Sequence, residues 1–301
     1  MNIVPAVYTP WTSGTYDVAP GLKALGTDFG NGLADQRHFQ IDNQFARYHV
    51  NKKWLANERP NQHVLRDRLD ETAESVIAQA IAQILCVEHP DYFGLHGNTL
   101  TCHLTESRCA LDSPFALNEI AFMMQEDLAI LKREGDADWL AYLNVCAPSD
   151  WAPESKIGGS FFQTHLPIPG FERTNSVAPK MVDAMIQKGP FVRFVWAAVS
   201  DEELNHHPNA FSLAGTKVNP GREFSRGRFW IRTERQVTWG FPKLDAALFT
   251  IRVGFMPDHV ILANPMLTAT LRQALLGMSE PARKYKGISE EFDALVALLA
   301  V

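Results

Sequence analysis

The sequence predicts an α+β protein, a mostly antiparallel sheet flanked by N- and C-terminal helices. Three observations carry this: helical periodicity ahead of residue 135, a change at Trp139 to short aromatic and β-branched segments, and capped helical patterns after Asn264. Up to about Glu58 the chain is irregular, with Pro5, Pro10 and Pro20, apart from FQIDNQFARYHVNKKWL, which suits a short helix beginning near Asp42. Leu65, Leu69, Val76, Ile77, Ala80, Ile81, Ile84 and Leu85 recur at three- and four-residue spacing, predicting an amphipathic helix over 64–85 ended by His89-Pro90. Ser113-Pro114 reads as the cap and first-turn proline of a second helix from Leu117 to Arg133, with Gly135 at its C-terminal cap. Five segments then read as strands: WLAYLNVCA, SFFQTHLPI, FVRFVWAAV, RFWIRTERQV and ALFTIRVGF. Between the second and third, Val177, Met181, Val182, Met185 and Ile186 predict a short helix. Asn264-Pro265 opens another through Leu276, and Ser289 starts a last one to Ala300. No repeat or long linker forces a boundary, so a single domain 1–301 is expected, helical over 21–135, sheet over 139–260 and helical again over 264–301.

Composition narrows the function. The 301 residues carry 28 Lys+Arg against 34 Asp+Glu, a net charge of −6, with no basic run to follow a phosphate backbone. Nucleic acid is not the expected partner. No apolar run approaches the length of a bilayer span, and the first fourteen residues lack a positive, then apolar, leader pattern, so no membrane partner and a cytoplasmic location are expected. Cys86, Cys102, Cys109 and Cys146 are too sparse for a disulfide scaffold and lack paired C-x-x-C spacing, which disfavours structural zinc or an all-thiolate iron–sulfur site. Neither G-x-G-x-x-G nor G-x-x-x-x-G-K-[ST] occurs, so any redox chemistry draws its reducing equivalents from elsewhere. H-E-x-x-H and G-x-S-x-G are also missing, which removes the usual hydrolase anchors.

Two constellations remain. His165 ends a strand-like run and enters a Pro167-x-Pro169-Gly170 turn, where rigid prolines fix the backbone and a neutral imidazole can face a pocket. One histidine suffices for haem, because the porphyrin supplies four nitrogens, and is too few for zinc. The other reading is a strand-terminal histidine bonded to a nearby carbonyl. The second constellation is Arg232-Thr-Glu234-Arg235-Gln236. Strand alternation sends Arg232, Glu234 and Gln236 to one face and Thr233 and Arg235 to the other, so charges on both faces must be paired or meet a ligand. Guanidinium groups suit carboxylates such as haem propionates, or phosphates, and Glu234 suits a cationic amine. A ladder with Arg252 as partner is the competing arrangement. Arg193 and Trp196, three apart on one strand, point to opposite faces, with Trp196 the core residue. His206-His207 in a polar loop, His103 beside Cys102, and loop residue Lys156 are expected to be solvated.

Several motifs resemble, in order, those of the haem-dependent oxidative N-demethylase alpha-subunit-like family. They are Gln125-Glu126-Asp127-Leu128; Cys146-x-Pro148-Ser149-x-Trp151-x-Pro153-x-x-Lys156-x-Gly158; His165-x-Pro167-x-Pro169-Gly170; Arg232-x-Glu234-Arg235-Gln236 with Phe249-Thr250-Ile251-Arg252; and Tyr285-Lys286-Gly287. The likeness runs from roughly Gly21 to the C-terminus. It implies a PAS-like sheet holding haem b, and oxygen-dependent demethylation of a small secondary amine such as dimethylamine, with release of formaldehyde. It also implies electrons from NADPH through separate flavin and iron–sulfur components, that is, partner reductase subunits. By the same likeness His165 becomes the proximal iron ligand, Glu234 the catalytic carboxylate near the amine, and Arg193, Arg232 and Arg235 the propionate partners. A PAS-like haem or small-molecule sensor without turnover is the alternative function.

Overall fold

The computed structural model describes residues 3–18, 22–211 and 222–300; Pro20 and Gly21, where the likeness begins, lie outside them. The described residues form ten strands: β1 (Lys23–Ala24), β2 (Val64–Arg66), β3 (Phe93–His96), β4 (Thr99–Cys102), β5 (Ser107–Ala110), β6 (Asp127–Glu134), β7 (Ala137–Asn144), β8 (Phe191–Val199), β9 (Trp230–Phe241) and β10 (Ala246–Pro257). Seven of them make one antiparallel sheet in the order β1-β8-β9-β10-β6-β7-β2, and β3, β4 and β5 make a small meander. This is the α+β arrangement expected, with helices flanking a large antiparallel sheet. Numbered among themselves in chain order, the five long strands β6 to β10 lie 2-1-5-4-3, and the crossover from β7 to β8 is helical.

The two faces of the sheet are covered differently. Against one lies the Glu71–Glu88 helix, whose Ile77, Ile81 and Leu85 pack with Ile130, Tyr142, Val237 and Leu248 of the sheet. The other is roofed by the crossover segments Phe161–His165, Glu172–Asn175 and Ala178–Gln187. At the end of β8, β9 and β10 the Pro265–Leu276 and Phe292–Leu298 helices close a second core around Trp11, Trp196, Ile231 and Met256. Among the described residues no helix is long and apolar enough to cross a membrane.

Strands β7 to β10 and the helices at 178–187 and 265–276 fall where the pattern puts them, and the last helix begins at Phe292 rather than Ser289. Elsewhere the structure differs. The stretch 21–135 is not uniformly helical: it contains β1 to β6. Val64–Arg66 pairs with β7, and the helix expected over 64–85 starts only at Glu71, where Asp70 caps it by accepting from the Ala73 amide at 2.7 Å. The helix expected from Leu117 to Arg133 stops at Ala121, and Asp127–Glu134 is a strand. Residues 127–131 are buried on both faces, and such a run loses the alternation that marks a strand. Gly135 turns the β6–β7 hairpin at φ +59°, a left-handed conformation that serves a turn as well as a helix cap. SFFQTHLPI is not a strand, because Ser160 and Gln163 form a reciprocal capping box that starts the Phe161–His165 helix.

Candidate functional site

Between the sheet and its crossover roof lies a cavity of about 550 Å³, within the size range of small-molecule and cofactor pockets. Its floor is apolar, built from Ala129 and Leu131 on β6 and Phe249 and Ile251 on β10 at alternating positions, and from Leu140 and Leu143 on β7, which share a face across a register shift. Its polar lining includes His165, Ser149, Arg193, Glu234, Gln236 and Lys286, with Asp17, Asp150 and Lys156 at the wall.

His165 closes the short capped helix rather than a strand, and its ring stacks on Phe171 at 4.8 Å and tilts against Phe161 at 4.2 Å. Its Nδ1–H is directed to the Phe161 carbonyl at 2.7 Å, with Thr164 Oγ1 at 3.0 Å. That bond assigns the proton to Nδ1 and leaves Nε2 as a lone-pair nitrogen with no hydrogen bond among the described residues. Burial pushes the imidazole down to about 4, the Phe161 carbonyl opposes this, and the charges of Arg193 and Lys156 add to it. The ring is neutral at pH 7. The carbonyl-bonded reading of His165 is what the structure shows, at the end of a helix rather than of a strand, and it leaves Nε2 facing away from that bond.

β9 alternates as expected. Glu234 Oε1 accepts from the Ser149 hydroxyl and Oε2 accepts from Gln236 Nε2 at 2.7 Å. Arg232, on the same face, is almost wholly committed: Nε donates to Ser149 Oγ at 2.8 Å, and its other nitrogens donate to the carbonyls of Glu203, Ala147, Pro148 and Leu204. Arg235 lies on the opposite face, donating to the carbonyls of Asp35, Arg37 and His38. Neither guanidinium is therefore set for a ligand carboxylate in the cavity, contrary to expectation. Arg252 does not complete a ladder with Glu234; it registers with Arg235 on the far face and pairs with Asp42 at 2.7 Å.

Arg193 does face the cavity, across from Gln236 in the β8–β9 register, half-buried and without a side-chain hydrogen bond among the described residues. Burial lowers its basicity and Glu234 opposes that. Trp196 registers with Thr233 on the other face and packs with Trp11, as a core residue. Lys286 is the cation that sequence reasoning passed over. It lines the cavity, its ammonium makes no hydrogen bond among the described residues, and burial depresses it while Glu234 and Asp150 pull it back up. Tyr285-Lys286-Gly287 was visible as a motif, but nothing in the chain order placed it opposite β9. Ser149 and Gln236 were likewise inside recognisable motifs without an assigned role.

The expected solvated groups are mostly not solvated. His206 and His207 are each 2% exposed, His206 Nε2 meeting Asp201 at 2.8 Å and His207 Nε2 meeting Glu154 at 3.0 Å. Lys156 donates to the Thr164 carbonyl at 2.7 Å, tying its loop to the His165 helix. His103 is exposed, and among the described residues no three His, Cys, Asp or Glu side chains are grouped to hold a metal ion. Gln125, Glu126 and Asp127 sit away from the cavity in a buried polar network, where Gln125 exchanges two hydrogen bonds with Asp42 and Asp127 accepts from the Ala147 amide at 2.7 Å.

Fold and site together define an α+β protein whose pocket, among the described residues, brings a lone-pair imidazole nitrogen, the Glu234 carboxylate and the Arg193 and Lys286 cations over an apolar floor, with Asp17 and Asp150 also in its lining. Residues 31–296 match the family described as haem-dependent oxidative N-demethylase, alpha subunit-like, and the chain belongs to that family.

Proposed function

We propose that the protein is the haem-bearing subunit of an oxygen-dependent oxidative N-demethylase, acting on a small secondary amine such as dimethylamine and releasing formaldehyde. The observation that carries this is His165 at the wall of the cavity, with Nδ1–H held by the Phe161 carbonyl and Nε2 without a hydrogen bond among the described residues. A backbone-oriented neutral imidazole is what an iron ligand requires. The rest of the pocket fits the same group: the apolar floor suits a porphyrin face, and Arg193 and Lys286 suit its two carboxylates. The 2-1-5-4-3 strand order with a helical crossover supports a PAS-like scaffold.

Haem b bound there supplies the iron at which dioxygen is activated. The chain's own residues do the remainder. Glu234, 9% exposed, attracts and orients an ammonium through acceptor oxygens in a partly dry pocket. The apolar floor excludes water beside the methyl groups. His165 stays neutral because it is buried. In this reading electrons come from NADPH through separate flavin and iron–sulfur components on partner reductase subunits. The protein is assigned to the cytoplasm, where its four unpaired thiols persist.

Purification with haem supplementation tests the reading. A Soret band is expected, to be lost in His165→Ala, and the reduced protein should release formaldehyde from dimethylamine under oxygen. A colourless protein that ignores added hemin rejects the proposal. Haem binding without formaldehyde makes the protein a sensor instead.

A further inference from the structure

Arginine donates at every nitrogen and accepts at none. Arg232 Nε–H points at Ser149 Oγ from 2.8 Å, so the hydroxyl must be the acceptor there and its own proton is left for its other neighbour, Glu234 Oε1. Chemistry alone fixes this direction. Arg232 is itself 2% exposed and held by four carbonyls of the 147–148 and 203–204 segments. On the other side Gln236 Nε2 donates to Oε2 at 2.7 Å. Among the described residues each oxygen of Glu234 thus accepts one hydrogen bond and keeps a further acceptor site, on a side chain that lines the cavity.

We propose that Ser149 is a positioning residue: polarised by Arg232, it aims Glu234 so that one open acceptor site remains on each oxygen, a match for the two N–H groups of a dialkylammonium. The proposal rests on the reading of Glu234 as the amine-binding carboxylate, and adds the group that orients it and the reason a secondary ammonium is favoured. Charge alone would hold any small cation; directed acceptors reward N–H donors.

Calorimetric titration of the haem-supplemented protein separates these contributions, with dimethylammonium as the N–H probe and tetramethylammonium as a cation of similar character without N–H. Ser149→Ala should weaken dimethylammonium about tenfold, the scale of one hydrogen bond to a charged group, and leave tetramethylammonium within about twofold. Ser149→Thr, which keeps the hydroxyl, should restore dimethylammonium to within about twofold. Should the alanine variant not fold, Ser149→Cys keeps the volume with a weak donor and should show the same selective loss. Unchanged affinity for both probes, or an equal fall in both from a damaged pocket, overturns the role of Ser149. Glu234→Gln is the separate control: it should weaken both probes, and if dimethylammonium binds it as tightly as wild type, the reading of Glu234 fails and the proposal with it.

Discussion

Glu126 carries a carboxyl with no exposed surface, one oxygen accepting from the Gln40 amide at 2.7 Å and the other without a partner among the described residues. Burial pushes it up to about 7 from the usual 4.5, against the pull of Arg252 and Arg235. The folded chain therefore holds this proton more tightly than the unfolded chain. The stability it contributes is complete below about pH 4.5 and is lost as pH rises through 7, at up to about 1.4 kcal/mol per pH unit. His63 and His165 act in the opposite sense, since burial lowers each to about 4 and their contribution is lost as pH falls toward that value. The quantity to follow is accordingly the difference between variant and wild type. In urea unfolding at pH 5, 6, 7 and 8, Glu126→Gln should gain on wild type between pH 5 and 7 and run parallel above; parallel curves throughout would contradict the raised carboxyl. Nothing in Gln125-Glu126-Asp127 reveals this from sequence, because three polar residues opening a strand look like surface until the partners Asp42, Gln40 and Lys52, some eighty residues earlier, are brought against them.

At the scale of elements, local chemistry was legible where the deciding groups were neighbours in sequence. Asn264 caps the Pro265–Leu276 helix, its Oδ1 accepting from the amides of Met266 at 3.1 Å and Leu267 at 3.2 Å, and Pro265 occupies the first turn where no donor is needed. Asn264→Ala should cost about 1 kcal/mol in chemical denaturation; a change below a few tenths would mean that the Thr268 hydroxyl, bonded to the Ile261 carbonyl at 2.8 Å, holds that corner by itself. β6 was illegible for the converse reason. Its five leading residues are buried on both sides by elements distant in the chain, so hydrophobicity carried no period to read. The His165 helix was lost to its aromatic residues, although the Ser160–Gln163 capping box was there to be seen. In the site, β9 alternation placed Glu234 correctly, whereas the fate of Arg232 and Arg235 depended on carbonyls from the 35–38, 147–148 and 203–204 segments, which no local pattern announces.

For the molecule as a whole, Trp11 joins the chain's two ends. It has no exposed surface, its Nε1–H donates to the Leu267 carbonyl at 3.3 Å, and its ring lies 5.8 Å from that of Trp196 on β8. Tyr16, which lines the cavity, stands edge-on to the same Trp196 at 5.7 Å. Trp11→Ala should cost about 3–5 kcal/mol through the cavity it leaves, and should loosen whatever the pocket holds; denaturation and haem retention read the two effects, and loss of neither would detach the N-terminal segment from the core. β9 has a further consequence. Its odd and even positions are assigned to two different compartments, Glu234 and Gln236 to the pocket, with Arg232 behind Ser149 on the same face, and Thr233 and Arg235 to the packed layer. Inserting one residue at its start would act as a frameshift does in a coding sequence: all the amino acids survive, but each is delivered to the wrong compartment, so binding and folding would be lost in one step.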